Sequence, residues 1–142
     1  MLIDKCLNSI SSQFLNRIKI IKHYSEKKII VKGDEDHIIQ VFSNIILNAC
    51  QSIKGEGSVS ISTTETEGFA RIRISDTGCG ISQENLAKIT DPFFTTKEPG
   101  EGTGLGLSIA LNNIKEHFGN LSFDSEIDKG TTVNIEIPLK KN

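Results

Sequence analysis

Neither sign of charge dominates this chain. Its 16 Lys and Arg and 18 Asp and Glu leave a net charge of −2 over 142 residues. The basic residues are scattered, so the sequence offers no electrostatic footprint for nucleic acid or for an anionic membrane surface. Lys27-Lys28 and Lys140-Lys141 are isolated dipeptides that read as solvated surface. Cysteine is scarce too: three residues, irregularly spaced, with no C-x-x-C pair. Cys6, Cys50 and Cys79 therefore read as reduced thiols in a cytoplasmic setting rather than a disulfide framework. No apolar run approaches membrane-spanning length, and the start lacks a signal-peptide pattern. There is no repeat and no low-complexity segment. What remains is a single domain over residues 1–142, long enough for one core without staples.

The most informative stretch is DEDHIIQVFSNIILNACQSI, residues 34–53. Asp34 suits a helix N-cap, and Glu35 and Asp36 suit the positive end of the macrodipole. At about 100° per residue, Ile38, Val41, Phe42, Ile45, Ala49 and Ile53 form a wide apolar arc. The opposite side carries His37, Gln40, Asn44, Asn48 and Gln51, all neutral and polar. No charge occurs between Ile38 and Ile53, so this helix is expected to be covered on nearly every side. Buried amides without partners cost roughly 1–3 kcal/mol each. Either neighbouring loops satisfy Asn44 and Asn48, or these side chains face a polar ligand or metal ion.

The remaining elements follow from periodicity. Residues 3–16 can form a helix, and RIKIIKHYS and KKIIVKG read as short strands, the second closed by Gly33. VSISTTE and FARIRIS alternate with period two across a short polar link, a hairpin signal. Ala70, Ile72 and Ile74 face one way there, and Arg71 and Arg73 the other. Ser82 can cap a short helix, SQENLAKI. Pro92, Pro99 and the glycines of residues 90–107 forbid a long helix or a central strand. A loop of that length is usually functional or disordered. The helix SIALNNIKEHF follows, with Gly119 as its expected C′ residue, and LSFDSE and TTVNIEIP close the chain as a hairpin. The pattern predicts a two-layer α/β sandwich: a mixed, mostly antiparallel sheet with helices on one face.

Several short motifs carry possible chemistry. Asp76-Thr77-Gly78-Cys79-Gly80 follows a strand; it is either a tight turn capped by Asp76 or a carboxylate placed to accept from an exocyclic amine. Gly102-Thr103-Gly104-Leu105-Gly106 precedes a helix, where exposed N–H groups suit phosphate. It fits neither the dinucleotide fingerprint nor the G-x-x-x-x-G-K-[ST] loop. Lys97 lies in the Gly/Pro segment, either as a surface lysine or as a point charge for a triphosphate. Phe93 and Phe94 read as anchors of that segment.

N-x-x-x-N on a helix, then D-x-G-x-G, P-F-F-T-T-K and G-T-G-L-G-L, in this order, resembles the catalytic ATP-binding domain of sensor histidine kinases. Those domains belong to the GHKL group with gyrase, MutL and the large heat-shock chaperones. The resemblance runs from about Asp34 to Pro138. It implies ATP and Mg²⁺ as cofactors. Asn48 would coordinate Mg²⁺ with Asn44 in the same site, and Asp76 would bind the adenine amino group. Gly78 and Gly80 would border the base, and Thr131 would support its recognition. Phe93, Phe94, Thr95, Thr96 and Lys97 would form a lid over the phosphates. Gly102, Thr103, Gly104, Leu105, Gly106 and Leu107 would complete it. Asn44, Asn48 and Lys97 would be the catalytic set.

The sequence departs from the pattern at three places. Gln51 stands where these kinases often have a lysine or arginine, leaving Lys97 or Lys54 to supply that charge. Thr90 replaces the usual phenylalanine before the acidic-Pro-Phe run. None of His23, His37 and His117 has the context of the phosphoacceptor histidine. The resemblance therefore implies an excised, monomeric, cytoplasmic catalytic domain without membrane contact of its own. Its partners would be a histidine-bearing dimerisation domain of the same parent protein and a response regulator. Hydrolysing relatives place a glutamate at position 44, whereas Asn44 cannot act as a base near neutral pH, so transfer to histidine is expected rather than hydrolysis. The alternatives are a serine kinase of the anti-sigma-factor type and a degenerate nucleotide-binding module that only docks partners.

Overall fold

The structure is a computed structural model that describes residues 2–8, 10, 12–26, 29–31, 33–89 and 106–139. The elements in chain order are α1 (Leu2–Asn8), α2 (Ser12–Leu15), β1 (Ile18–His23), α3 (Glu35–Ser52), β2 (Gly57–Thr66) and β3 (Phe69–Asp76). They continue with α4 (Gln83–Leu86), α5 (Gly106–Glu116), β4 (Asn120–Glu126) and β5 (Gly130–Pro138).

One five-stranded sheet runs in the order β1-β2-β3-β5-β4. Among the described residues only β1 and β2 pair in parallel, with α3 lying in the connection between them. The other three pairings are antiparallel. Alternation decides the two faces, because successive side chains on a strand point opposite ways. Val59, Ile61, Ala70, Ile72, Ile74, Val133, Ile135 and Ile137 are buried in the core. Register places Ile74 opposite both Ile61 and Val133, and Ile72 opposite Ile135. The same core takes in α1, α3 and α5 through Ile3, Leu7, Ile38, Val41, Ile45, Ile46, Ala110 and Ile114. This is the expected two-layer α/β sandwich with a mixed, mostly antiparallel sheet. The other face of the sheet is polar and self-paired. Arg71 reaches Glu136 at 3.5 Å, Arg73 donates to Asn134 at 3.1 Å, and the Ser75 and Thr132 hydroxyls are 2.7 Å apart.

Helix α3 starts where its cap chemistry predicts. Asp34 is extended, and its carboxylate accepts from the backbone N–H groups of Asp36 and His37 at 2.9 and 3.3 Å. The far end turns out at Ile53, whose N–H returns to the Cys50 carbonyl at 3.2 Å. His117 ties this start to the end of α5. Its Nε2 accepts from the Asp34 N–H at 3.0 Å, which leaves Nδ1 to donate to the Asn113 carbonyl at 2.7 Å. A backbone amide can only donate, so this pair of contacts selects the Nδ1–H tautomer.

Four local expectations need correction. The helix read over residues 3–16 is two short helices, Leu2–Asn8 and Ser12–Leu15, with a bend at Ile10 between them. Serine in general weakens a helix interior, because its side chain competes for backbone groups. Of KKIIVKG, the described part forms only an isolated bridge, Val31 to Leu139. At the end of α5 the left-handed residue is Phe118, with φ of 60°, not Gly119. Finally, α3 is not covered on nearly every side: His37 and Gln40 are exposed, and Leu47 is 41% exposed.

Candidate nucleotide site

The site is assembled at the end of the sheet where β3 stops and β5 begins. Asp76 closes β3 and lies opposite Thr131 in the β3–β5 register. Its Oδ1 accepts the Gly78 N–H at 2.8 Å and the Thr131 N–H at 3.3 Å. An oxygen has two lone pairs, so these amides fill Oδ1 and fix the carboxylate plane. Burial raises the Asp76 pKa above the usual carboxylate value. Hydrogen bonds from Gly78, Thr131 and the Ser52 hydroxyl pull the other way. The result is a half-buried carboxylate in a fixed orientation, an acceptor suited to one directed donor.

Thr131 is 8% exposed. The Ser125 hydroxyl donates to the Gly130 carbonyl at 3.0 Å, accepts from the Ile81 N–H at 2.7 Å, and sits 2.7 Å from the Thr131 hydroxyl. The Ser125 proton being committed, Thr131 is the donor in that pair. An open cleft of about 380 Å³ at this end is bordered by Asp76, Thr131, Phe123 and Ser125, with Gln83 and Leu86 of α4 on its side.

The turn after Asp76 is gripped from two directions. The Cys79 N–H donates to the Ser52 carbonyl at the end of α3 (3.1 Å), and the Cys79 carbonyl accepts from the Asp128 N–H of the β4–β5 turn (2.8 Å). Gly78 sits so close to α3 that a Cβ there would lie 2.8 Å from the Ser52 carbonyl oxygen. Gly80 has φ of 72° and would drive a Cβ into the Glu126 carbonyl. Both glycines thus answer to steric demands of this turn.

Asn44 and Asn48 are half-buried on α3, one turn apart, and Ser52 follows one turn later, beside Asp76. Two carboxamide oxygens are hard donors of the kind Mg²⁺ accepts beside phosphate and water, so the residues present fit the expected ion. Gly106 opens α5, and Leu107 packs against the core. The expected lid residues Phe93, Phe94, Thr95, Thr96, Lys97, Gly102, Thr103, Gly104 and Leu105 lie outside the described residues. Sequence reading missed Ser52 and Ser125. For Ser52 a signal existed: Asn44, Asn48 and Ser52 form an unbroken i, i+4 row. Ser125 had none, because its role depends on a long-range contact with Ile81.

The profile of the family described as "Histidine kinase-, DNA gyrase B-, and HSP90-like ATPase" matches residues 33–141. The chain belongs to this family. Among relatives of this ATPase family, sporulation kinase C of Bacillus subtilis strain 168 is 41% identical over 133 residues, 93% of this chain and 31% of the relative. The chain thus spans about a third of that curated relative, and 20% of sporulation kinase A of the same organism. Among solved structures, the nucleotide-free catalytic domain of histidine kinase ThkA is 29% identical with a TM-score of 0.85, covering 96% of this chain and 90% of that one. Full-length ShkA in complex with AMPPNP shares the fold at a TM-score of 0.86 and 24% identity, over 99% of this chain and 30% of that one. Among the described residues no helix is long and apolar enough to cross a membrane.

Proposed function

We propose that this ATPase-family domain binds Mg²⁺–ATP and transfers the γ-phosphoryl group to a histidine on a separate dimerisation domain, within a cytoplasmic two-component system. A response-regulator aspartate would receive it next. The observation that carries the reading is the Asp76 carboxylate, fixed by two backbone amides, with Asn48 one helical turn before Ser52, whose carbonyl holds the turn after Asp76. That spacing suits a nucleotide whose base addresses Asp76 and whose phosphates run along the Asn44–Asn48 face. The solved AMPPNP complex of ShkA, which shares the fold, supports a nucleotide as the ligand.

Each group has a role set by its chemistry. Asp76 accepts from the exocyclic amine of adenine, and Thr131 lies beside it. Asn44 and Asn48 would hold Mg²⁺, which when bound neutralises phosphate charge and orients the transferring group. Lys97 supplies a point charge from the lid segment. The histidine nitrogen attacks the γ-phosphorus, the bond to the β–γ bridging oxygen breaks, and ADP leaves with that electron pair. The imidazole loses its N–H proton to solvent. Asn44 is an amide and activates no water, which favours transfer over hydrolysis.

The test follows the γ-phosphate of labelled Mg²⁺–ATP with the chain alone and with the helical segment encoded beside it in its natural gene. Acid-labile label on that segment, with little phosphate released by the chain alone, is the expected result. Acid-stable label on a serine would assign the anti-sigma-type kinase instead. Phosphate release by the chain alone would assign a hydrolase, and nucleotide binding without transfer a docking module.

A further inference from the structure

Polar contacts tie α5 to α3 at two levels. At one, the Asp34 N–H donates to Nε2 of His117, just past the end of α5, at 3.0 Å. At the other, the Asn113 amide Nδ2 donates to Oε1 of Gln40 at 3.3 Å. Asn113 is 9% exposed, on the same side of α5 as the buried Ala110 and Ile114, and Gln40 reaches it from the exposed rim. Going forward on α5 from 113 to 117 means going backward from 40 to 34, so the two helices run antiparallel. The start of α5 therefore lies toward Asn44 and Asn48. From the level of the Gln40–Asn113 bond, Gly106 is about 10 Å back along α5. Asn44 and Asn48 are about 6 and 12 Å onward along α3.

Apolar burial has no direction, so buried Ala110 and Ile114 hold α5 against the core without fixing its line. Hydrogen bonds do have direction. Two of them at separate levels fix that line, and with one alone the helix can pivot about it. His117 stands about 16 Å along the axis from Gly106 but only about 6 Å from Asn113. Play at Asn113 is therefore magnified roughly threefold at Gly106. The N–H groups of the first turn of a helix have no partner within it, and in α5 they move with Gly106 relative to Asn44 and Asn48. A buried polar pair that sets how helices align is a known use of such groups, at some cost in stability.

We infer that Gln40 and Asn113 are positioning residues whose hydrogen bond aligns the start of α5 with the Asn44–Asn48 face and so sets how the triphosphate is held. This rests on the assignment of that face to Mg²⁺ and the phosphates. The pair acts through the placement of α5, and neither member is assigned a contact with the nucleotide. Its consequence is selective: breaking the bond weakens the phosphate-dependent part of binding and leaves recognition of the base, at the Asp76 end, as it was.

The experiment compares dissociation constants of the chain for Mg²⁺–ATP and for adenosine, by calorimetry. Wild type, Gln40→Met, Asn113→Leu and the double variant are measured. Methionine keeps roughly the length of glutamine without its amide oxygen, and leucine keeps the branched shape of asparagine without its donor. Each single change is expected to lower Mg²⁺–ATP affinity roughly three- to tenfold, the scale of one weakened hydrogen bond. The double variant should lose no more than the larger single loss, because the two side chains act as one pair. Adenosine affinity stays at the wild-type value throughout. Additive losses, equal losses for both ligands, or undiminished Mg²⁺–ATP affinity would overturn the inference. Gln40→Met changes an exposed side chain and decides the matter should Asn113→Leu disturb the core. A wild-type chain that binds Mg²⁺–ATP no more tightly than adenosine would remove the phosphate assignment itself.

Discussion

Replacing Asp76 by asparagine tests the base site directly, because the surrounding amides dictate how the new side chain must sit. The Gly78 and Thr131 N–H groups point at Oδ1 from 2.8 and 3.3 Å, and only a carbonyl oxygen can accept from them. The carboxamide is therefore locked with its oxygen inward and its NH₂ group outward. Where wild type offers an acceptor to adenine, the variant offers a donor against a donor. A hydrogen bond to a charged group contributes about 1.5–3 kcal/mol, so ATP affinity should fall roughly 10- to 150-fold. Stability should move the other way. Burial raises the Asp76 pKa above its usual 3.8, which means that the folded state disfavours the ionised form. The unfolded chain holds its proton less tightly, so ionised Asp76 subtracts from stability at neutral pH. As pH falls through the raised folded-state pKa the proton is taken up, and the subtraction is gone below the unfolded value. Asp76→Asn should accordingly unfold at no lower urea concentration than wild type at pH 7, with any advantage shrinking as pH falls toward 3.8. Wild-type ATP affinity should itself weaken over that descent, as the acceptor is protonated. Calorimetric titration and urea unfolding of the same samples measure both. An Asp76→Asn chain that binds ATP within twofold of wild type, or one clearly destabilised at neutral pH, would refute the reasoning.

Three further outcomes are expected. Asn48→Ala should lose most of the Mg²⁺-dependent part of ATP affinity while leaving metal-free nucleotide binding close to wild type, as titrations with and without EDTA would reveal; unchanged Mg²⁺ dependence would remove Asn48 from the metal site. Ile46 is fully buried on α3, and Ile46→Ala should cost about 2–5 kcal/mol of unfolding free energy, read from urea denaturation. The native chain should yield one fast thiol of its three to a disulfide reagent, because Cys79 is exposed while Cys6 and Cys50 are buried with thiol pKa values raised by that burial; three equal rates would contradict the packing around α3.

The parts of this molecule that sequence revealed are those set by local rules. Period-two alternation located β2 and β3 and the side of β3 that carries Arg71 and Arg73, because a half-buried strand must alternate. Asp34 and Ser82 were readable as caps since each bonds amides two or three residues on. Where tertiary contacts decide, local rules failed. Phe118 adopts the left-handed conformation that glycine usually takes, and Gly119 is needed because a Cβ there would meet the Glu136 carbonyl of β5. Nothing within residues 106–119 announces that neighbour. The site divides likewise. Asp76 and Thr131 were named from a motif, and the register brings them opposite each other. Ser125 was invisible because its partner, Ile81, lies 44 residues away.

The seam between β3 and β5 has a consequence for the order in which the molecule can become whole. β2–β3 and β4–β5 are hairpins that can close early, since their strands are near in sequence. β3 and β5 pair Ile72 with Ile135, and bringing such distant residues together carries the larger loop-closure cost and is slow. The carboxylate of Asp76 meets the Thr131 amide across that same seam. No half of the chain can therefore assemble the proposed base site by itself, and a molecule that has made it has already joined its two halves. A nucleotide held there would clamp the join between them, so its binding energy would add to the stability of the whole sheet rather than to one loop.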